Sequence, residues 1–260
     1  MKQPIGVFDS GIGGLSVLRE IRALLSKDDL LYVADSGFAP YGHRSVAFIV
    51  QRSLLIARFL MAHNAKAIVV ACNTATAAAV ATLRDELPIP IIGMEPGIKP
   101  AAVVSRSKII GVLATESTLN SDRFSALLTR TTEGMEIIVQ PCPGLVEQIE
   151  AGNFTGPATH ALVTRFITPL LTKGVDTLVL GCTHYPLVRQ LIAQIAGPTV
   201  QIIDTGPAVA RHLRDRLTDA TLHCDSDAPG KETFWTSGSP TVVQSVIAKV
   251  WGRAVEVERI

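Results

Sequence analysis

Two short strings, Ala71-Cys72-Asn73-Thr74-Ala75 and Gly181-Cys182-Thr183-His184-Tyr185-Pro186, place a cysteine in the same local setting. Each string follows a short apolar run, at 67–70 and 178–180, which is typical of a buried strand. Each precedes a segment with helical periodicity. Because open α/β sheets bind their ligands outside the carboxyl ends of their strands, we expect two thiols at strand ends, with a sulfur on each side of one substrate.

The rest of the chain alternates in the same way between apolar runs and amphipathic segments. Strands are predicted at 5–9, 30–34, 67–71, 89–93, 109–113, 136–140, 176–180 and 200–204, and helices at 15–25, 45–62, 75–86 and 157–172. This alternation predicts an α/β fold with mostly parallel sheets covered by helices. We expect two similar domains, one formed by 1–95 with 207–260 and completed by the segment from Thr233 onward, and the other by 96–206.

Composition restricts the classes of partner. The formal net charge is +1, aromatic residues make up 5% of the 260 residues, and no run of lysine and arginine occurs. Nucleic-acid grooves need a basic patch or stacking aromatics, so we expect no nucleic-acid partner. Nothing approaches the length of a transmembrane helix, and the first residues lack the sections of a signal peptide. We therefore expect no membrane association and a cytoplasmic location.

The four cysteines fall into two kinds. They contain no Cys-x-x-Cys pair, so a zinc site has little support, and a reducing compartment argues against disulfides. We interpret Cys142 and Cys224 as small apolar residues with no reactive role. Cys72 and Cys182 share one unusual position and are therefore the candidates for reactive thiols.

The glycine-rich loop Asp9-Ser10-Gly11-Ile12-Gly13-Gly14 only partly resembles a dinucleotide fingerprint. Gly11 and Gly13 fit, but Ser16 stands where the third glycine belongs, and a Walker A lysine is absent. We interpret the loop as a tight turn whose free backbone N–H groups suit a carboxylate or a phosphate. Asp9 is either a helix-capping carboxylate or a charge beside a thiol or a substrate ammonium.

Further polar residues stand close to these strings. The string Pro40-Tyr41-Gly42 is either a plain turn or a wall of the site, where glycine permits close backbone approach. His184, directly after Cys182-Thr183, is expected to assist the thiol or hold the substrate. Glu147 and Glu150 lie three residues apart on one predicted helix face, which is either solvated or functional.

These motifs, in order and spacing, resemble those of the glutamate racemase family, the cofactor-independent enzymes that make D-glutamate for peptidoglycan. The resemblance rests on Asp9-Ser10-Gly11, Pro40-Tyr41-Gly42, Cys72-Asn73-Thr74-Ala75 and Cys182-Thr183-His184-Tyr185. It extends over nearly the whole chain, and 111–115 with Thr118 is similar to the family's strand and loop that open the second half. It implies two domains related by a pseudo-twofold axis, with the substrate at their interface.

The resemblance also implies roles for individual residues. Cys72 and Cys182 would be the acid/base pair, assisted by Asp9, His184 and a glutamate that matches Glu150 better than Glu147. The expected glutamate contacts are Asp9, Ser10, Pro40, Tyr41, Gly42, Asn73, Thr74, Thr115, Thr118, Thr183 and His184. Neither a cofactor nor a metal is implied. L- and D-glutamate are the expected small-molecule partners, and a homodimer is the expected assembly.

Other functions also fit these residues. Aspartate and hydantoin racemases use the same paired cysteines and differ in the side chain that they select. A non-catalytic amino-acid-binding module with structural cysteines is the alternative from a different class. Some racemases of this family also affect DNA gyrase, which stands as a third alternative.

Overall fold

The computed structural model describes residues 3–131, 134–224 and 226–260. The chain divides into two compact units. Unit 1 comprises Met1–Met94 with Gly206–Ile260, and unit 2 comprises Glu95–Thr205. In both units, every strand pairing among the described residues is parallel.

Unit 1 is built on a six-stranded sheet with strand order β10-β9-β2-β1-β3-β4. The strands are β1 (Ile5–Asp9), β2 (Leu30–Ala34), β3 (Ala67–Val70), β4 (Ile91–Ile92), β9 (Glu232–Thr236) and β10 (Val257–Arg259). Its helices are α1 (Leu15–Leu24), α2 (Val46–Ala62), α3 (Asn73–Glu86), α10 (Gly206–Asp219) and α11 (Pro240–Trp251). The central strands β1, β2 and β3 are buried along their whole length, which explains their unbroken apolar sequences.

Unit 2 has a four-stranded sheet with strand order β6-β5-β7-β8. Its strands are β5 (Ile109–Ala114), β6 (Glu136–Pro141), β7 (Thr177–Leu180) and β8 (Gln201–Ile203). Its helices are α4 (Ile98–Val104), α5 (Glu116–Leu119), α6 (Asp122–Thr131), α7 (Leu145–Glu150), α8 (Pro157–Thr172) and α9 (Arg189–Ala196). One buried cluster packs Ile110, Val112 and Val179 of the sheet against Ile98 of α4 and Phe124 of α6.

The predicted fold class is confirmed, since both sheets are parallel and flanked by helices. Most predicted strands agree with the structure to within one residue at each end. The run 89–93 is shorter than predicted, because Pro88 and Pro90 cannot donate backbone hydrogen bonds and pairing is limited to Ile91 and Ile92. The edge strand β10 was not predicted.

Neighbouring strands bring the motif residues to the same sheet edge. In unit 1, the backbone N–H of Ala71 donates to Phe8 O at 2.8 Å and that of Asp35 donates to Asp9 O at 3.0 Å. The residues that follow β1, β2 and β3 are therefore adjacent. In unit 2, the N–H of Gly181 donates to Leu113 O at 2.8 Å, which places the residues after β5 and β7 side by side.

Gly14 permits a close approach between α1 and the end of β1. A Cβ atom at this position would lie 2.8 Å from the Asp9 Cβ and 3.0 Å from the Tyr32 hydroxyl. No ordinary side chain fits at these distances without displacing its neighbours. The glycine therefore allows the helix to begin directly against the Asp9 side chain.

Within the described part of the chain, no helix combines the length and apolar character needed to cross a membrane.

Asp176, directly before β7, joins the loop between α4 and β5 to the start of β7. Its carboxylate accepts hydrogen bonds from Ser105 Oγ and from the backbone N–H groups of Arg106 and Ser107, each at 2.7 Å. Partial burial opposes the charged form, but these bonds and one from the Thr177 hydroxyl outweigh it and lower the pKa of Asp176 to about 2. The carboxylate therefore stabilises the folded state above its unfolded pKa of about 4.

We expect Asp176→Ala to lower the free energy of unfolding by about 1–2 kcal/mol near neutral pH, the usual effect of losing hydrogen bonds to a charged group. The difference from the unsubstituted protein should shrink as pH falls from about 4 towards 2, because protonation of Asp176 removes the same stabilisation. Urea unfolding at several pH values measures this. Asp215→Ala, at an exposed carboxylate, is the matched control, and an equal loss in both variants would contradict the prediction.

Candidate active site

Cys72 caps the N-terminus of α3. Its backbone is extended, and its sulfur accepts a hydrogen bond from the Ala75 N–H at 3.4 Å. The thiol is 5% exposed. Because the N-terminus of a helix favours negative charge, this position stabilises a thiolate. Capping by sulfur also explains why α3 begins at Asn73, two residues earlier than predicted.

A chain of polar groups leads from this thiol to Asp9. The Cys72 thiol donates to Ser10 Oγ over 3.8 Å. The Ser10 hydroxyl in turn donates to Asp9 Oδ1 at 2.9 Å. Asp9 ends β1 and is fully buried. A carboxylate that accepts from a hydroxyl next to a thiol is suited to relaying a proton to or from the sulfur.

The Pro40-Tyr41-Gly42 string forms the start of a short 3₁₀ turn, Tyr41–His43. The Tyr41 side chain is buried, and its hydroxyl donates to Asp35 Oδ2 at 2.5 Å. Burial, followed by the charge of Asp35 and the hydrogen bond to it, raises the pKa of Tyr41 far above its ordinary value. Tyr41 is thus a neutral phenol near Cys72, which also contributes to this shift.

Asn73 and Thr74 occupy the first turn of α3, and both are buried. Among the residues that the structure describes, neither the amide oxygen nor the amide nitrogen of Asn73 has a hydrogen-bond partner. Buried polar atoms are costly without partners. The Asn73 amide is therefore available to a polar ligand.

Cys182 follows β7 and has a different set of neighbours. Its sulfur lies 3.7 Å from Nδ1 of His184, and Nε2 of the same imidazole lies 2.5 Å from Glu150 Oε1. Cys182 is 7% exposed and His184 is 2% exposed. The three side chains form a thiol–imidazole–carboxylate series in which the thiol and the ring are buried and the half-buried carboxylate of Glu150 orients the ring.

The charge of His184 is set by this series. Burial alone lowers the pKa of His184, but the interactions with Cys182 and Glu150 outweigh it and raise the pKa well above its ordinary value. The ring is therefore held as an imidazolium, which places a positive charge beside the Cys182 sulfur. Glu150 is the partner of His184, whereas Glu147 interacts electrostatically with the Tyr185 hydroxyl.

The remaining predicted contact residues of unit 2 lie near the carboxyl ends of β5 and β7. Thr183 is buried next to Cys182. Thr115 caps α5 by accepting from the Thr118 N–H at 3.3 Å, and the two threonine hydroxyls are 3.0 Å apart. The structure thus places these threonines at the same sheet edge as Cys182.

The other two cysteines differ from this pair. Burial raises the pKa of Cys142 far above its ordinary value, so this thiol stays protonated. It lies near Tyr185. Within the described residues the Tyr185 hydroxyl makes no hydrogen bond of ordinary geometry. Burial and the neighbouring Cys142 raise the pKa of Tyr185. Cys224 is half-buried and lies 3.3 Å from Lys27 O.

In unit 1, the structure brings together Asp9, Ser10, Tyr41, Cys72 and Asn73. In unit 2, it brings together Glu150, Cys182 and His184, with Thr183 adjacent. Two charged residues near Tyr41, Asp35 and Arg52, were not assigned a role from the sequence. A signal for Asp35 was present, since it directly follows β2 as Asp9 ends β1.

No group of three or more His, Cys, Asp or Glu side chains in ranges 3–131, 134–224 and 226–260 is arranged to hold a metal ion.

Each of the two α/β units has a parallel sheet with a buried cysteine after one of its central strands. Together they define a protein with two thiol centres. A family model described as Asp/Glu/Hydantoin racemase matches residues 5–213. The chain belongs to this family. The predicted resemblance is thereby confirmed at the level of the family.

Individual relatives carry more specific names. A protein named glutamate racemase from Methylococcus capsulatus is 58% identical over 96% of this chain and 92% of its own length. The crystal structure of the Escherichia coli glutamate racemase with L-glutamate and the activator UDP-MurNAc-ala superposes with a TM-score of 0.87 at 31% identity, covering 99% of this chain and 97% of that one. The crystal structure of a Francisella tularensis glutamate racemase with D-glutamate superposes with a TM-score of 0.85 at 29% identity, covering 100% of this chain and 97% of that one.

Proposed function

We propose that this chain is a cofactor-independent glutamate racemase that interconverts L- and D-glutamate with two cysteines. The observation that carries the proposal is the presence of two buried thiols at strand ends, each with its own group to stabilise a thiolate. The choice of glutamate as substrate is supported by the names of the relatives and by the glutamate bound in two of them.

Racemisation must remove the α-proton from one face of the carbon and deliver a proton to the other. In the proposed mechanism, Cys72 deprotonates D-glutamate and Cys182 deprotonates L-glutamate. In each direction one sulfur begins as a thiolate and the other as a thiol. The abstracted proton stays on the first sulfur, the second sulfur donates its proton to the carbanion, and the two cysteines exchange protonation states.

The neighbours of each thiol explain how both ionisation states are reached. The Ala75 N–H at the start of α3 stabilises a thiolate at Cys72, and the Ser10–Asp9 chain can exchange its proton. The His184 imidazolium does the same for Cys182, while Glu150 fixes the ring.

The polar residues around each thiol are proposed to bind the amino acid. The unpartnered amide of Asn73 is suited to a substrate carboxylate or ammonium, and the buried Asp9 carboxylate is suited to the ammonium. The carbanion has no electron sink from a cofactor in this proposal, so fixed donors in a water-poor site must stabilise the developing charge. The other proposed contacts are Ser10, Pro40, Tyr41, Gly42, Thr74, Thr115, Thr118, Thr183 and His184.

The biological role that follows from this activity is supply of D-glutamate for peptidoglycan, in the cytoplasm where such precursors are made. A homodimer remains a prediction. Aspartate or hydantoin racemisation is the alternative, because the family model carries these substrates in its description.

The decisive experiment is a racemisation assay on the purified protein without added cofactor and in the presence of EDTA. Chiral chromatography should detect D-glutamate from L-glutamate and the reverse, reaching equal amounts of the two enantiomers. Aspartate and hydantoins should give much lower rates. Faster turnover of aspartate would reassign the substrate, and binding of glutamate without any turnover would support an amino-acid-binding module.

A further inference from the structure

A buried ion pair holds the loop that carries Tyr41. Asp35, which follows β2, accepts the Tyr41 hydroxyl on Oδ2 at 2.5 Å. Arg52 of α2 donates to both oxygens of the same carboxylate, from Nε to Oδ2 at 3.0 Å and from Nη2 to Oδ1 at 2.6 Å. Two parallel hydrogen bonds from a planar guanidinium fix the orientation of a carboxylate more firmly than a single contact does.

The same arginine contacts the loop at a second point. Its guanidinium carbon lies 4.0 Å from the centre of the Phe38 ring, a distance suited to a cation–π contact. The side chains of Asp35 and Arg52 are 0% and 13% exposed. Since a buried ion pair is costly to desolvate, a pair maintained at this place calls for a functional explanation.

The pair of Asp35 and Arg52 carries no net charge of its own. The single Tyr41 proton is committed to Asp35, and burial together with that carboxylate keeps the phenol neutral. Burial opposes the charge of Arg52, but the contacts with Asp35 outweigh this effect and raise the pKa of the arginine. One negative and one positive charge therefore oppose each other at contact distance.

This ion pair is linked to the first thiol through Tyr41. Tyr41 and Cys72 belong to one buried cluster, and the two groups interact electrostatically. Asp9 of β1 is connected to Cys72 by way of Ser10. Asp35, in the loop after β2, and Arg52 of α2 are connected to it by way of Tyr41. The first turn of α3 contributes a backbone N–H and no acidic side chain.

We propose that Asp35 and Arg52 are positioning residues for the racemase reaction, which hold Tyr41 beside Cys72 while cancelling each other's charge at that thiol. The inference rests on the proposed function and adds two residues to it. The pair fixes the Tyr41 wall of the site. Because its charges are balanced, it does so without shifting the equilibrium between thiol and thiolate at Cys72.

Removing either partner alone should disturb that equilibrium in opposite directions. Asp35→Asn leaves the Arg52 cation, which favours the Cys72 thiolate and lowers the pH at which it forms. Arg52→Met leaves the Asp35 anion and raises that pH. As a general scale, a unit charge on the order of 10 Å from a thiol, at an effective dielectric constant of about 20, shifts its ionisation by about one pH unit. We expect shifts of about 0.5–1 unit with opposite signs.

The absorbance of thiolate at 240 nm, recorded against pH, measures this directly. Each variant is compared with the same variant carrying Cys72→Ala, so that the difference reports Cys72 alone. The double variant Asp35→Asn/Arg52→Met restores neutrality and should return the midpoint to within about 0.3 unit of the original, a residual expected from lost hydrogen bonds. Arg58→Met, at an exposed pair on the same helix, should change nothing.

Positioning is tested separately through the kinetics of glutamate racemisation. Arg52→Lys keeps the charge but cannot hold both carboxylate oxygens and the Phe38 ring. We expect the thiolate midpoint to stay in place, KM to rise several-fold and kcat to fall less. The double variant should show the same rise in KM despite its normal midpoint. Circular dichroism establishes that each variant is folded.

Midpoints that move in the same direction for Asp35→Asn and Arg52→Met, or that do not move in folded variants, would overturn the proposal. An unchanged KM in Arg52→Lys would overturn the positioning role. Failure of the proposed function has a different signature, since the unsubstituted protein would not racemise glutamate while the 240 nm midpoints would still move in opposite directions.

Discussion

Cys72→Ala and Cys182→Ala should each abolish racemisation in both directions. In the proposed mechanism every turnover needs one sulfur to remove a proton and the other to donate one, so a single thiol could not complete the reaction from either enantiomer. Loss of one general acid or base costs about 10²–10⁴-fold in rate. Because each thiol serves in both directions, we expect a loss at or beyond the upper end of that range, measured by chiral chromatography.

The other two cysteines provide matched controls. Cys142 belongs to the same unit as Cys182, and Cys142→Ala removes a buried thiol that stays protonated. Cys224→Ala removes a half-buried thiol. Both variants should retain most activity, with a stability loss of at most about 1–2 kcal/mol for the buried site. Normal activity in Cys182→Ala would show that the second thiol has been assigned wrongly. Loss of activity in Cys142→Ala would show that Cys142 is not merely a buried structural cysteine.

The strands predicted with the least ambiguity are those buried on both faces. β1 and β2 lie in the centre of their sheet; β1 has four consecutive uncharged residues before Asp9, and β2 has five. Such runs leave little ambiguity about their bounds. The strand–helix alternation then implies parallel pairing, because a parallel connection needs a crossover of helical length.

The short edge strand β10 is an element for which local sequence is insufficient. In β10, Val257 is buried while Glu258 and Arg259 are exposed, so no apolar run marks the strand. It forms because its backbone pairs with β9, a partner more than twenty residues earlier in the chain. Tertiary pairing of this kind cannot be read from the composition of a three-residue segment.

The candidate site shows the same division between local and tertiary information. Cys72 and its cap depend on consecutive residues, and the motif predicts their place at the end of β3. Glu150, by contrast, reaches His184 across 34 positions. The family resemblance favoured it over Glu147, but the helical spacing of the two residues did not, and the packing of α7 is what brings Glu150 to the ring.

Asp35 and Arg52 could not have been paired from the sequence. They are 17 residues apart, one in a loop and one on α2, and charged residues on a helix are usually solvated. The pair forms because α2 packs where its Arg52 side chain meets the loop after β2. Residues that position a site through another side chain are recognised by such buried contacts and not by motif.

Solvent isotope labelling tests the arrangement of the two thiols most directly. When protein equilibrated in deuterium oxide acts on L-glutamate, D-glutamate formed early should carry deuterium at the α-carbon, while the remaining L-glutamate should stay largely unlabelled. In the proposed mechanism, the thiol that donates to the product has exchanged with solvent before turnover. Whichever cysteine removed the proton is only 5–7% exposed, so its sulfur is expected to retain that proton and to return it when the reaction reverses.

Mass spectrometry after chiral separation, at less than about a tenth of full conversion, measures the label in both enantiomers. Starting from D-glutamate should give the mirror result. A single base serving both faces would carry substrate protium into the product or label both enantiomers equally, so comparable early deuterium in recovered L-glutamate would refute a two-base reaction at Cys72 and Cys182.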